Sequence, residues 1–339
     1  MTGLKIHRAG PGVTVQDLGR PGHLARGLSR SGAADTMALY EAAALLRQSP
    51  GNAVVEMAGT GGQFEVLGTP VTIALTGAEM RCSVNGRALA WHGTHRLEPG
   101  EILEIGGAVA GHYGYLAFDG GIQVDMVLGA RAAHTVAGIG QALTTLAELP
   151  LSPTGRAEDG LMLDVHDRFS GGTLRVVRSM QTSAFAAKDV QRFAETRFVR
   201  DARGNRMGVR LTSDGPGFAA EGGLNVLSEV IVTGDIQVTG DGTPFVLLPE
   251  SQTTGGYPRI ATVIPADLPK IAQAPAGAEI RFEFVDMDVA VSAQRGFVAG
   301  LEGMAGAVRP RVRDPHTIPD LLSYQLISGA VAGSEGDPE

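Results

Sequence analysis

The sequence predicts a mainly β fold, made of two β-rich subdomains with a few short helices. Its 339 residues exceed what a single hydrophobic core usually supports, so two subdomains are expected. Its 48 glycines accompany only 5% aromatic residues, which is typical of tight turns between short strands and argues against long helices. Apolar runs rich in β-branched residues recur about every ten residues, as they do in antiparallel barrels and sandwiches.

The first half contains one predicted helix followed by a series of strands. Asp35 is the predicted N-cap of the helix, which Pro50 and Gly51 end. Asn85-Gly86 is the strongest hairpin signal, because both residues tolerate the backbone angles of a tight two-residue turn. The predicted strands, each bounded by Gly, Pro or Asn residues, span residues 53–57, 63–66, 71–75, 80–84, 88–91, 101–105 and 113–118.

A stretch rich in glycine and proline, residues 120–160, separates this half from a second β-rich half. The predicted subdomains are therefore 1–160 and 161–296, followed by a C-terminal extension at 297–339 with a mobile tail from about residue 329. Strands are predicted at residues 173–178, 197–200, 207–211, 230–238, 245–248 and 279–285. Helices are predicted at residues 188–195 and 265–272, with one more beyond Asp286.

Composition excludes several classes of function. The formal net charge of -8 argues against nucleic-acid binding, which requires concentrated positive charge. Cys82 is the one cysteine, so an intrachain disulfide is impossible and a packed, inert thiol is expected. No apolar run approaches the length of a membrane span, which is about 18 residues. The N-terminus also lacks the apolar stretch of a signal peptide. We therefore expect a soluble cytoplasmic protein that does not bind a membrane.

Standard cofactor and metal motifs are missing. No P-loop occurs, and the glycine pairs near residues 59–62 and at Gly106-Gly107 are interpreted as turns because no βαβ unit surrounds them. His92 and His95 have the spacing of half a metal site, yet no carboxylate or cysteine completes it. No metal site is predicted. The Met-Lys-Met tripeptide of biotin carriers is also absent, so covalent biotin is not expected on this chain.

The densest polar segment is the run from Gln252 to Thr262. Gly255 and Gly256 allow a ligand to approach the main chain, while Tyr257 is held extended by the proline that follows it. Donors of different reach come from the side chains of Thr253, Thr254, Tyr257 and Arg259. The segment is interpreted either as a binding loop or as a plain hairpin turn leading into a strand.

Two further polar clusters are candidates for ligand contact. Gln16, Asp17 and Arg20 lie on a glycine- and proline-rich loop, where Asp17 could hold Arg20 towards a carboxylate or amide, or form only a turn-stabilising salt bridge. In the second half, Arg206 and Arg210 are predicted to share one side of a strand. They are interpreted as binding an anion or, alternatively, as pairing internally with Glu221 or Glu229.

These clusters, in this order, resemble the biotin-dependent carboxyltransferase A/B-subdomain family. The segments that carry the resemblance are Thr14-Val15-Gln16-Asp17-Leu18-Gly19-Arg20-Pro21-Gly22, Ser31-Gly32-Ala33-Ala34-Asp35, Asp119-Gly120-Gly121-Ile122, Asn205-Arg206-Met207-Gly208, Gly234-Asp235-Ile236-Gln237 and Thr253-Thr254-Gly255-Gly256-Tyr257-Pro258. The resemblance extends from about Gly10 to Val285. The family includes KipA, the C subunit of bacterial 5-oxoprolinase, and parts of allophanate hydrolase and urea carboxylase systems.

The resemblance implies a cyclophilin-like β-barrel architecture, with an A-like first half and a B-like second half. It also implies a subunit of an ATP-dependent 5-oxoprolinase that cleaves 5-oxo-L-proline to L-glutamate. The partners would be a KipI/PxpB-like subunit and a PxpA-like (LamB/YcsF) subunit, with ATP bound mainly by them or at a shared interface. The alternatives are a non-catalytic binding partner of a KipI-like kinase inhibitor, and the carboxyltransferase component of a urea carboxylase or allophanate hydrolase system.

In this interpretation the site residues fall into two groups. The expected catalytic residues are Gln252, Tyr257 and Arg259, which would orient the amide or hold an anionic group. The residues expected to bind the small amide or carboxylate substrate, or to form an interface, are Gln16, Asp17, Arg20, Asp35, Arg206, Gln237, Thr254, Gly255 and Gly256. The chain departs from the family after Gly129, where Ala130-Arg131-Ala132-Ala133-His134 replaces residues that usually carry hydroxyls.

Overall fold

The computed structural model describes residues 2–143, 148–221 and 227–311, and it confirms the mainly β class. One large antiparallel sheet occupies most of the first half, and a closed seven-strand barrel occupies the second. The predicted mobile tail lies outside the described residues.

The large sheet is built on two long strands that pair with each other, β5 (Val71–Val84) and β8 (Ile102–Phe118). Its other strands are β1 (Gly3–Ala9), β2 (Thr14–Gln16), β3 (Val54–Ala58), β4 (Gly62–Leu67), β6 (Arg87–Ala88), β7 (Gly93–Leu97), β9 (Glu148–Pro150), β10 (Leu161–Leu163) and β20 (Val308–Pro310). The full spatial order is β20-β10-β7-β5-β8-β4-β1-β9, with β2 on β3, β3 on β8, and β6 on β5.

Both long strands contain bulges where the sequence predicts a break. The β5–β8 register shifts between Gly77 and Cys82, so residues 71–75 and 80–84 belong to one bent strand. The interpretation of Gly106-Gly107 as a turn is wrong, because both glycines lie inside β8. The Gly61 amide donates to the Gly106 carbonyl at 3.0 Å. A Cβ on Gly61 would lie 2.5 Å from Ile105 Cγ2, so this approach of the two segments requires glycine at position 61.

Two local predictions have different outcomes in the hairpin that follows β5. Asn85 and Gly86 have φ angles of 47° and 83°, which confirms the tight turn between β5 and β6. The strand predicted at residues 88–91 is wrong beyond Ala88, where β6 ends. The chain then turns through His92, which has φ 54°, before β7 begins at Gly93.

The strands of the second half form a barrel and a ribbon. They are β11 (Gly172–Val177), β12 (Phe198–Arg200), β13 (Gly208–Thr212), β14 (Glu229–Val230), β15 (Asp235–Val238), β16 (Pro244–Leu247), β17 (Thr254–Gly255), β18 (Arg259–Val263) and β19 (Glu279–Phe284). The barrel runs in the order β11-β18-β15-β16-β13-β12-β19 and closes through the parallel pair β11 and β19, which leaves these strands without a free edge. A separate two-stranded ribbon pairs β14 with β17.

The α-helices of the described residues are α1 (Thr36–Leu46), α2 (Ala187–Glu195), α3 (Leu268–Gln273) and α4 (Met287–Gly303). Asp35 is confirmed as the N-cap of α1, since its Oδ1 accepts from the Met37 amide at 3.1 Å. Pro265 begins the 3-10 turn that leads into α3. Each of these helices corresponds to one predicted from the sequence.

The two halves share a hydrophobic core. Leu39 and Leu45 of α1 belong to the same buried cluster as Phe193 and Phe198 of the barrel half, and a second cluster lies within the large sheet. β10 and β20 pair with each other and join the large sheet through β7. The predicted division of the chain at residue 160 stays a prediction.

Three histidines in or next to the large sheet are held neutral by burial. Burial lowers the pKa of His92, His95 and His112 from 6.5 to about 4. His95 Nε2 lies 2.7 Å from the Ala90 carbonyl oxygen, which a neutral Nε2–H satisfies. Burial also raises the pKa of Cys82 to about 12, as expected for an inert thiol.

These histidines predict acid sensitivity. Their pKa values are lower in the folded state than in the unfolded chain, so the stability they confer is complete above about pH 6.5 and is lost as pH falls towards 4. Protonation of each histidine lowers the free energy of unfolding by up to about 1.4 kcal/mol for each pH unit in that window. Urea titrations of the wild type and His95→Gln at several pH values should therefore give a flatter dependence for the variant. Parallel curves would contradict this assignment.

Candidate functional site

A cleft of about 270 Å³ lies between the two halves of the chain. Residues 20–24 and 28–30 form one wall, and residues 231–233 and 251–252 form the other. The cleft brings together Arg20 and Gln252, which are members of separate sequence clusters. Loops from distant parts of the chain meet beneath it, because the Ser31 amide donates to the Pro249 carbonyl at 3.0 Å.

The loop that carries Arg20 is fixed by Asp17 and by close backbone contacts. Asp17 accepts from the Gly19 amide at 2.7 Å and from the Arg131 amide at 2.6 Å. Gly19 has φ +77°, and a Cβ there would lie 2.6 Å from the Arg30 carbonyl, so only glycine fits. The predicted pairing of Asp17 with Arg20 is wrong within the described residues, because main-chain amides occupy the carboxylate.

Arg20 is 1% exposed and has no carboxylate within ion-pair distance among the described residues. Its Nη2 donates to the Ala132 carbonyl and its Nε donates to the Val127 carbonyl at 3.3 Å. Nη1 is buried and has no described acceptor. Burial lowers the pKa of Arg20, and the more distant charges of Asp17 and Glu250 offset this only in part.

Gln16 supports the same region from below. Its Nε2 donates to Thr14 Oγ1 at 3.0 Å and to the Ala133 carbonyl at 3.3 Å, while its buried Oε1 has no described partner. The Ala133 carbonyl also accepts from Ser31 Oγ at 2.6 Å. Gln16 therefore positions residues 130–134 against the Ser31 loop rather than facing solvent.

Arg206 crosses from the barrel half into the sheet half and is fully engaged there. Its Nη1 donates to Glu56, its Nε donates to Glu250 Oε1 at 2.7 Å, and its Nη2 donates to the Gly32 carbonyl at 2.6 Å. Burial alone would lower the pKa of Arg206, but the charges of Glu56 and Glu250 raise it above its usual value. Glu56 also accepts from the Tyr115 hydroxyl at 2.8 Å.

This geometry favours the internal-pairing interpretation of Arg206, although with partners other than Glu221 and Glu229. The expectation that Arg206 and Arg210 share a strand face is wrong, because β13 begins at Gly208, after Arg206. Arg210 pairs instead with Asp201 at 2.6 Å. Anion binding by Arg206 would require breaking an existing buried ion pair.

Arg259 is likewise engaged within the chain. Its Nη2 contacts Glu229 Oε2 at 2.5 Å and its Nη1 contacts Asp235 Oδ2 at 3.3 Å. Nη1 also donates to the Val230 carbonyl, and Nε donates to Gln181 Oε1 at 3.2 Å. These bonds anchor the β14–β17 ribbon to the barrel. A catalytic role for Arg259 stays a prediction that its present contacts do not favour.

The remaining members of the Gln252 segment differ in exposure. Gln252, Thr254 and Tyr257 are exposed, Tyr257 by 43%, whereas Gly255 and Gly256 are half-buried. Thr254 and Gly255 form β17, so part of the predicted binding loop is a strand. A Cβ on Gly255 would lie 2.5 Å from Gln237 Nε2 and 3.1 Å from Ile231 Cδ1, so glycine admits the Gln237 side chain here.

Asp35 belongs to a second buried network away from the cleft. Its Oδ2 accepts from Arg168 Nε at 2.7 Å and from Gln273 Nε2 at 2.8 Å. Arg168 also pairs with Glu41 at 2.7 Å. Substrate contact by Asp35 stays a prediction, and its present contacts join α1 to α3.

The structure adds residues that the sequence clusters do not single out. Ser29 Oγ lies 2.8 Å from His134 Nε2, and Thr135 Oγ1 donates to Glu250 Oε2 at 2.8 Å. Ser29, His134 and Glu250 are buried, and Ser29 lines the cleft. Their positions in the sequence could have indicated these residues. Ser29 comes shortly before the motif that ends at Asp35, and His134 is the last residue of the segment that departs from the family.

Metal-binding and membrane-spanning features are both missing from the described residues. No group of three or more His, Cys, Asp or Glu side chains there has the geometry to hold a metal ion. No helix in the same residues combines the length and apolar character needed to cross a membrane.

Comparison with known proteins identifies the family. The family model of the carboxyltransferase domain, subdomains A and B, matches residues 26–284. The chain belongs to this family. The resemblance carried by the sequence motifs is therefore confirmed. Of the cleft residues, the family model includes 28–30, 231–233 and 251–252 but not 20–24.

Individual relatives extend this assignment. The C subunit of the Escherichia coli 5-oxoprolinase is 33% identical over 299 residues, which are 86% of this chain and 94% of that protein. The urea amidolyase of Saccharomyces cerevisiae is 25% identical over 304 residues, 83% of this chain and 16% of that protein. The crystal structure of the K. lactis urea amidolyase has a TM-score of 0.80 and covers 92% of this chain and 21% of that one; at 21% identity it shows a shared fold.

Arg206→Ala should destabilise the protein strongly. The substitution leaves Glu56 and Glu250 buried without their counter-charge, so we expect a loss of about 3–5 kcal/mol of unfolding free energy. Urea denaturation measures this loss. Arg210→Ala is the matched control and should cost much less, because Arg210 pairs at a partly exposed position. Equal losses in both variants would contradict the proposed importance of the buried pair.

Arg259→Ala should also act first on stability. Its loss leaves the buried Asp235 without its counter-charge and frees the ribbon, so we expect about 2 kcal/mol or more of destabilisation. Thermal or urea unfolding checks this value. If Arg259→Ala unfolds like the wild type while an activity is lost, the engagement of Arg259 is incidental and the catalytic expectation regains support.

Proposed function

We propose that this chain is the C-type subunit of an ATP-dependent 5-oxoprolinase, which cleaves 5-oxo-L-proline to L-glutamate in the cytoplasm. The observation that carries the proposal is the match to the C subunit of the E. coli 5-oxoprolinase, which extends over 94% of that protein. The urea amidolyase match, in contrast, covers 16% of a much longer protein. The aligned part of the chain therefore corresponds to nearly all of the E. coli subunit but to a small part of the urea amidolyase.

In this proposal ATP is held mainly by the partner subunits. The cleft of about 270 Å³ is smaller than the roughly 300–1,000 Å³ usual for drug-sized ligands, and the sequence has no P-loop. Its size suits a five-membered lactam with a carboxylate better than a nucleoside triphosphate. The contribution of this chain is then to bind and orient the small substrate and to limit access of water.

Gln252 is the predicted catalytic residue best placed for this task. It is exposed and lines the cleft, so its amide can both donate to and accept from the lactam group. Tyr257 is exposed on the same segment and provides a further donor at the edge of the ribbon. Thr254 and the backbone amides of Gly255 and Gly256 would add donors only from the neighbouring ribbon.

Partner subunits of the KipI/PxpB and PxpA (LamB/YcsF) types complete the proposal. Exposed apolar side chains occur on several segments around the cleft, which is typical of surfaces that contact other proteins. They are Leu24, Met126, Val127, Leu128, Val136, Val230, Val232 and Tyr257. Leu24 and Val232 line the cleft itself, so a partner bound there would close its mouth.

Two alternatives keep some support. The urea amidolyase relative is compatible with a carboxyltransferase role, which would require a separate biotinylated carrier because this chain lacks the carrier tripeptide. A regulatory role, as partner of a KipI-like kinase inhibitor, would need the apolar surface but no substrate in the cleft. Both predict that the reconstituted complex leaves 5-oxoproline intact.

Reconstitution tests the proposal directly. Combined with partner subunits of the PxpA and KipI/PxpB types, the chain should support ATP-dependent release of glutamate from 5-oxo-L-proline. Gln252→Ala and Tyr257→Phe should each lower turnover about tenfold, because each removes a hydrogen bond made to the reacting group. Tyr40→Phe, a half-buried tyrosine of α1, is the control and should retain full turnover.

The possible results test the proposed function and the residue assignments separately. No glutamate release from the complete complex rejects the oxoprolinase function and leaves the alternatives. Normal turnover in both Gln252→Ala and Tyr257→Phe rejects the assignment of the Gln252 segment, while the subunit assignment stands.

A further inference from the structure

Two side chains in the wall of the cleft carry donors that no residue of the described chain accepts. Ser29 is 6% exposed, and its single described hydrogen bond is the 2.8 Å contact with His134 Nε2. Arg20 keeps Nη1 without an acceptor. Buried donors are normally satisfied, so these two are available to an acceptor that binds in the cleft.

The position of the proton on His134 follows from its hydrogen bonds. Its Nδ1 accepts from the Ala137 amide at 3.3 Å, so Nδ1 carries no hydrogen. Burial lowers the pKa of His134, which keeps the ring neutral at pH 7. The ring hydrogen therefore lies on Nε2, and His134 donates to Ser29 Oγ.

This arrangement makes Ser29 a directed donor. A serine nucleophile needs an unprotonated histidine nitrogen to take its hydrogen, and here that nitrogen is already protonated. Because the Ser29 oxygen accepts from His134, its own hydrogen is free to bond to another acceptor. Ser29 lines the cleft, so an acceptor bound there is within its reach.

The charge of Arg20 makes the same wall suitable for an anion. Arg168, Arg206 and Arg259 each face two carboxylates, whereas Arg20 faces only carbonyl oxygens. Arg200 is also buried without a carboxylate partner, but it does not line this cleft. Asp17 and Glu250, the carboxylates whose charges act on Arg20, are engaged by other donors. An anion in the cleft would lower the cost of burying this guanidinium.

We propose that the Ser29 wall of the cleft is an oxyanion subsite for a carboxylate or phosphate group. Ser29 donates its hydroxyl hydrogen to one oxygen of the anion, Arg20 supplies positive charge, and His134 is the positioning residue that directs the Ser29 hydrogen. The subsite deepens the proposed function in one respect, because that function identifies the anion as the carboxylate of 5-oxo-L-proline.

Calorimetric titration of the full chain tests the subsite without turnover. The probes are 5-oxo-L-proline, pyrrolidin-2-one, which has the same lactam without the carboxylate, and inorganic phosphate. Pyrrolidin-2-one should bind at least about tenfold more weakly than 5-oxo-L-proline, and Ser29→Ala should weaken 5-oxo-L-proline by about ten- to one-hundredfold. Ser170→Ala, at an exposed position, is the control and should leave binding unchanged.

A double-mutant cycle tests the role of His134. His134→Leu should weaken binding as much as Ser29→Ala, and the double variant should be no weaker than either single variant. His134→Gln retains an Nε2–H donor and should restore most of the affinity. Additive losses, or no rescue by glutamine, would show that His134 does not act through Ser29 and would overturn that assignment.

The outcomes distinguish the subsite from the proposed function. If phosphate rather than 5-oxo-L-proline binds in a Ser29-dependent manner, the subsite stands and its source is a phosphate. If neither anion binds the wild-type chain or the complex, or if Ser29→Ala binds both normally, the subsite is overturned. If the complex that contains Ser29→Ala releases glutamate with an unchanged KM for 5-oxo-L-proline, the proposed function is supported and the subsite is rejected. Ser29-dependent anion binding without glutamate release would support the subsite and reject the oxoprolinase function.

Discussion

The buried contact of Arg206 with Glu56 and Glu250 is the constraint on which the cleft depends. It joins a strand of the large sheet to two loops of the barrel half, and it also holds the Gly32 carbonyl. Because an unpaired charge at this depth is costly, all three side chains must come together for the fold to be stable. The same contact thereby fixes the distance between the Arg20 loop and the Gln252 segment, which form the two walls.

A second buried network makes this arrangement rigid. Arg168 with Asp35 and Glu41 joins α1 to the segment before the barrel, while Gln273 of α3 accepts from the amides of His112 and Tyr113. Tyr115 links the two networks, since its hydroxyl accepts from the Asp35 amide and donates to Glu56. Two such attachments prevent one half from rotating about a single contact. Both networks therefore oppose a change in the distance between the two walls of the cleft.

The sequence predicted what local chemistry determines. The Asn85-Gly86 turn, the Asp35 cap and the helices follow from backbone preferences of neighbouring residues, and most strands follow from short apolar runs. The continuity of β5 and β8 did not follow, because bulges and glycines within a strand have the same sequence pattern as turns. The partners of Arg206 also could not be predicted, since Glu56 lies 150 positions away in the chain.

The candidate site shows the same limit in a sharper form. Sequence identifies polar residues in clusters, but it does not tell which of their donors and acceptors are already used inside the protein. Arg206, Arg259 and Asp35 are satisfied by partners within the chain, so their presence in a motif is explained by architecture. Arg20 and Ser29 retain donors without an acceptor, and both line one cleft. Unused hydrogen-bonding capacity at a shared cavity, rather than membership of a motif, is therefore the physical reason for proposing Arg20 and Ser29 as ligand-binding residues.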